Sequence, residues 1–134
     1  MKEVLEMHVN MSNRWCGLAE EVFDRLYGLS SLQILDLSAN NLLIVSNEIG
    51  CLSSLQLQLH LSENKFMSIP NEIGHLSSLQ LLDLSDNNFM SMPESISHLS
   101  ELTELHLFRC SKLQSLPKIV PFNLKHVHAQ ECPS

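Results

Sequence analysis

Glycine is scarce in this chain, with four residues among 134. None stands in a G-x-x-x-x-G-K-[ST] pattern, so the backbone cradle that a nucleotide's phosphates need is missing. Basic residues are few as well: eight Lys and Arg face fifteen Asp and Glu, for a formal charge of −7. An acidic chain cannot easily assemble the basic stripe that phosphate contacts require, so no nucleic-acid partner is expected. No apolar run reaches the roughly 18 residues needed to span a bilayer. Met1 to Met11 also carries carboxylates where a secretory leader has an apolar stretch, so no membrane partner is expected either. The four cysteines, Cys16, Cys51, Cys110 and Cys132, lie far apart and show no capping or zinc-motif spacing. They read as free thiols in a reducing compartment, the cytoplasm or the nucleus.

What the chain has in plenty is leucine and serine, which together make up a third of its length. Such a bias is what repetition of one short unit produces. Near-copies follow one another: Leu32-x-x-Leu35-x-Leu37-x-x-Asn40, a variant ending Leu59-x-Leu61-x-x-Asn64, then Leu79-x-x-Leu82-x-Leu84-x-x-Asn87 and Leu102-x-x-Leu105-x-Leu107-x-x-Cys110. A weaker copy, Leu124-x-x-Val127-x-Ala129-x-x-Cys132, closes the chain, and a degenerate one is expected to end at Cys16. The anchors Cys16, Asn40, Asn64, Asn87, Cys110 and Cys132 then recur at a nearly constant spacing of about 23 residues.

Leu-x-Leu is the period-two signature of a short strand with one buried face. A period of that length returns the chain once per coil and lays each strand beside the last, giving a solenoid with a parallel sheet. A buried Asn where the chain leaves the strand can donate to and accept from the backbone of adjacent coils. The other half of each coil repeats too. Val22, Val45, Ile69, Met92 and Leu116 share one apolar phase, followed in three copies by Pro70, Pro93 or Pro117. Ile49, Ile73 and Ile96, then Leu52, Leu76 and Leu99, continue at spacings of four and three, which fits a short helical turn packed inward. Leu55 to Gln58 holds one residue too many, so a kink or bulge is expected there to keep the leucines inward. Pro117-Lys118-Ile119-Val120-Pro121 leaves no room for the usual turn, and that side of the last coil should be short and extended.

These residues resemble the leucine-rich repeat family, from about Cys16 to Cys132. The resemblance implies an α/β leucine-rich repeat solenoid, with a curved parallel sheet on the concave side and short helical or extended turns on the convex side. Residues 1-134 form one domain of about six coils, the first (1-28) degenerate and the last (117-134) truncated. Leu116-Pro117 after Cys110-Ser111-Lys112-Leu113, with the closing Leu124 to Ser134 segment, looks like the C-terminal repeats of plant TIR-NB-LRR disease resistance proteins of the TMV resistance protein N-like class. Phe66-Met67-Ser68-Ile69-Pro70 and Phe89-Met90-Ser91-Met92-Pro93 lack the Gly that extracellular plant receptors carry before Ile-Pro, which favours the intracellular type. The family's nucleotide switch and TIR domain are not in this sequence. The resemblance implies a non-enzymatic module of ligand sensing and autoinhibition in defence. Its partner would be a pathogen effector, a host guardee or another domain of the same receptor. The alternative is a generic or secreted repeat scaffold outside immunity.

In such a strand the side chains between the leucines face outward. Read across the coils, the central column is Asp36, His60, Asp83, His106 and His128, flanked by Glu63, Asp86, Phe108 and Arg109. These nine are the candidate partner-binding residues, since aromatic and Arg side chains are enriched where interfaces concentrate their energy. His106, His128 and Asp83 come near one another, but an open sheet face lacks the surroundings that fix metal ligands, and no metal or cofactor is expected. No nucleophile and base stand in a recognisable constellation, so no catalytic residue is assigned.

Overall fold

The structure, a computed structural model, describes residues 6–8, 32–52, 55–130 and 132. Among the described residues, six strands of three residues each form one parallel sheet in chain order: β1 Glu6–His8, β2 Ile34–Asp36, β3 Gln58–His60, β4 Leu81–Asp83, β5 Glu104–His106 and β6 His126–His128. The register is unbroken. Met7, Leu35, Leu59, Leu82, Leu105 and Val127 stand opposite one another across the sheet. In β2 to β5 the middle residue is buried and its two neighbours are half-exposed, as period-two patterning requires. The ladder continues past the strands, where the amides of Leu37, Leu61, Leu84 and Leu107 donate to the next coil's His60, Asp83, His106 and His128 carbonyls.

The expected place of the first coil is corrected. An anchor at Cys16 would set Met11 in the core row, whereas the sheet pairs Met7 with Leu35, a longer step than any between the later strands. Met7 stands where β2 to β5 carry leucine, and the even spacing of the later anchors points away from it. Cys16 itself, and Val22 of the outer apolar series, lie outside the described residues.

At the exit of each strand the asparagines tie coils together. Asn64 donates to the carbonyls of Leu37, Leu61 and Ser62 and accepts from the amides of Asn40 and Leu42, all between 2.9 and 3.1 Å. Asn87 does the same one coil on, reaching Leu61, Leu84 and Ser85 and accepting from Phe66. An amide has both donors and acceptor for this role, and a buried carbonyl or N–H left without a partner costs about 1–3 kcal/mol. Cys110 and Cys132 replace the ladder with one weak S–H donation each, to Leu84 and Leu107. Burial pushes the Cys110 thiol up to about 11, so it is held as a neutral donor. Cys51, Cys110 and Cys132 are all free.

The residue before each anchor, Ala39, Glu63, Asp86 and Arg109, adopts a left-handed backbone with φ between 52° and 59°. None is glycine, and each donates its amide to the following coil, so the sheet's hydrogen bonds run through the strained corner.

Opposite the sheet, among the described residues, three 3-10 turns, Asn47–Cys51, Asn71–His75 and Glu94–His98, bury Ile49, Ile73 and Ile96. Ser46, Pro70 and Pro93 stand at the turn entrances, and their carbonyls accept the amides of those isoleucines. Proline suits that place because its fixed φ serves an extended residue and its missing N–H goes unused. Successive turns stack closely: a Cβ added to Gly74 would stand 2.7 Å from the Ser95 carbonyl oxygen. Between sheet and turns, Phe66 and Phe89 are fully buried and Met92 joins the core, while Met67 and Met90 are exposed.

The surplus residue before β3 is absorbed where expected. Leu55 stays buried, Gln56 turns out to solvent, a bend falls at Leu57, and β3 re-enters in phase. The last coil has no 3-10 turn between Pro117 and Pro121, as its length dictates. Leu116, which shares the phase of buried Met92, is 45% exposed, so its place in the apolar series does not make it core. No described turn of the last coil stacks over it.

Candidate functional site

The outward residues of the strands form the columns that the repeat phase requires. Asp36, His60, Asp83, His106 and His128 lie in register, and the backbone of β1 pairs His8 with Asp36. His8 escapes the sequence reading because that reading places the first coil four positions too late.

The column is divided by its contacts. Asp36 accepts the backbone and hydroxyl of Ser38 two residues on, closing its own turn. His60 hydrogen-bonds Gln58 through Nε2 at 2.7 Å and turns Nδ1 toward Asp83 at 4.0 Å. Burial alone would raise the Asp83 carboxyl, but His60, the N–H and hydroxyl of Ser85, and the charge of His106 outweigh it and hold Asp83 below its ordinary value. Asp83 therefore ionises readily and is directed to β3. It does not join the histidines of β5 and β6.

Those histidines gather different neighbours. His106 Nε2 lies 3.0 Å from Glu104 Oε2 on the same strand. The His106 and His128 rings meet edge to face with centroids 4.7 Å apart, and Phe108 stacks on His128 and stands edge-on to His106. His126 also stacks on His128, with ring centroids 6.2 Å apart. The hydrogen bond with His106, then the charges of His106, His126 and His128, hold the Glu104 carboxyl below its ordinary value. Glu104 is not among the nine candidates. Its signal in the sequence is the Glu104-x-His106 spacing, which puts both side chains on one face of one strand.

Along the rim, Arg109 forms a two-point pair with Asp86, Nε to Oδ1 and Nη2 to Oδ2, both at 2.8 Å. Glu63, at the equivalent corner one coil earlier than Asp86, is exposed. Both Arg109 and Asp86 sit in the left-handed corner, so the fork geometry is set by backbone of adjacent coils. Seven of the nine candidates fall into three groups, a His60–Asp83 centre, a ring cluster on β5 and β6, and the Asp86–Arg109 pair on the rim, while Asp36 closes its own turn and Glu63 stands exposed.

A solenoid of in-register parallel strands with an asparagine ladder and a polar outer sheet face defines a repeat scaffold that presents side chains. The profile of the family described as a leucine-rich repeat region matches residues 12–128, and the chain belongs to that family. A leucine-rich repeat protein of Leptospira interrogans is similar in structure, with 41% identity and a TM-score of 0.64, over 69% of this chain and 23% of that one. Internalin C2 of Listeria monocytogenes is similar at 28% identity and the same TM-score, over 78% of this chain and 45% of its own. The chain therefore spans less than half the length of either protein. No curated protein sequence matches it. The matched family is a protein-interaction repeat and indicates no catalytic class. No helix among the described residues is long and apolar enough to cross a membrane.

Proposed function

We propose that the outer sheet face is a protein-recognition surface, centred on β4 to β6. The observation that carries this is the grouping of Phe108, His106, His128 and Arg109 on one rigid, in-register face. Aromatic and Arg side chains concentrate binding energy when a partner excludes water from them, and here they are held by neighbouring strands at little further ordering cost. The test compares binding to one candidate partner by the parent chain, a Phe108→Ala/Arg109→Glu double variant and a variant of exposed Met67, Met67→Ser, outside the strands. Affinity should fall at least about tenfold for the first variant and stay level for the second. Equal loss in both, or in neither, would move the surface elsewhere.

The finer reading is a sensing and autoinhibitory module of a plant intracellular immune receptor, cytoplasmic or nuclear. It rests on the closing Leu116-Pro117 and Leu124 to Ser134 segments and on the Ile-Pro and Met-Pro blocks without a preceding Gly. The generic scaffold is the second reading, and the likeness to two bacterial proteins favours it. The genomic sequence upstream of the Met1 codon separates them. An encoded nucleotide-binding domain in frame supports the receptor, and a secretory leader in frame supports the scaffold.

A further inference from the structure

We propose that Glu104, His106 and His128 form a binding site for a divalent transition-metal ion, with Zn2+ as its natural probe. Each offers one ligand atom, and these atoms all lie within 4.8 Å of one another. Ligands at about 2.0–2.1 Å from zinc in a tetrahedron stand about 3.4 Å apart. The Glu104–His106 pair is already at 3.0 Å, and no ligand atom of the three stands more than 4.8 Å from another. Two imidazoles and one carboxylate suit zinc and its neighbours and disfavour calcium or magnesium, which take oxygen ligands.

The backbone supports the site. His106 and His128 are register partners on adjacent parallel strands, and Glu104 shares the face of His106 two residues away. Phe108 and His126 both stack on His128, with ring centroids at 5.5 and 6.2 Å, and this packing limits how far that ring can swing. Three protein ligands leave at least one position open toward solvent, on the face where a partner would land. The competing account is a Glu–His hydrogen bond with stacked histidines and no affinity for metal.

Zn2+ alone is titrated calorimetrically into the reduced full chain stripped with a chelator. The expected result is one equivalent bound, weakened at least about tenfold by His128→Ala and by Glu104→Gln, and unchanged by His75→Ala on the opposite side. Should His128→Ala fail to fold, the half-exposed Glu104 side chain carries the test, with circular dichroism as the check on fold. A Co2+ spectrum should show nitrogen and oxygen ligation without a thiolate charge-transfer band. Absence of binding, binding that survives Glu104→Gln and His128→Ala, or a thiolate band from Cys51 would each overturn the proposal. Partner binding unaffected by these two variants would leave the metal site standing and show that the recognition surface does not use it.

Discussion

The coils anchored by Asn64 and Asn87 share their strand register with the coil that begins at Cys110 and differ from it in almost everything behind the sheet. In the middle coils the anchor amide reaches carbonyls on two coils, a 3-10 turn closes the far side, and Met92 and Ile96 are buried. In the last coil one thiol donates weakly, the far side is extended, and Leu116, Val120 and Val127 are 45%, 54% and 45% exposed. The same core phase therefore yields a buried or an open side chain according to whether a neighbouring coil covers it. Strand pairing survives without the ladder and the turn, and the apolar interior does not.

The sharpest break in that contrast is a pair of phenylalanines. Phe89 is fully buried and Phe122 is 93% exposed. Phe89→Ala should cost about 3–5 kcal/mol in urea unfolding, and Phe122→Ala less than about 0.5. The anchors come next. Asn64→Ala takes the acceptor from the Asn40 and Leu42 amides, and a loss of about 3 kcal/mol is expected, against less than about 1 for Cys132→Ala. Equal losses would show that the ladder is dispensable. On the far side, Gly74→Ala drives a methyl against the Ser95 carbonyl and should lower stability by about 1–3 kcal/mol. Ser97→Ala, at the same phase one turn on, should change it by less than about 0.5. Smallest is Ala39→Gly, which relieves a left-handed residue at φ 59° and should raise the thermal midpoint slightly, worth up to about 1 kcal/mol.

The solenoid was legible because leucine at i, i+3 and i+5 followed by Asn has one economical solution, a strand that turns out beside its neighbour. Register followed from the same spacing, so the order Asp36, His60, Asp83, His106, His128 could be written without coordinates. Two things could not. The first strand carries Met7 where β2 to β5 carry leucine and lies further along the chain from its neighbour than the others do, so periodicity points to Cys16 when the sheet pairs Met7 with Leu35. The direction of side chains within the column was also hidden. Phase brings Asp83 and His106 together, but Asp83 prefers His60 and the Ser85 amide, and Glu104 takes its place beside His106. Such choices depend on rotamers and competing hydrogen bonds, which no spacing rule encodes.

Glycine would relax the left-handed corner before each anchor, yet the chain keeps Ala39, Glu63, Asp86 and Arg109 there, and each retains a side chain at the lip of the sheet. The corner depends on backbone amides and carbonyls, so the identity of those side chains is uncoupled from the interior. A lineage carrying this scaffold can exchange neutral, acidic and basic groups along the lip one substitution at a time and alter its choice of partner while the leucines behind stay put.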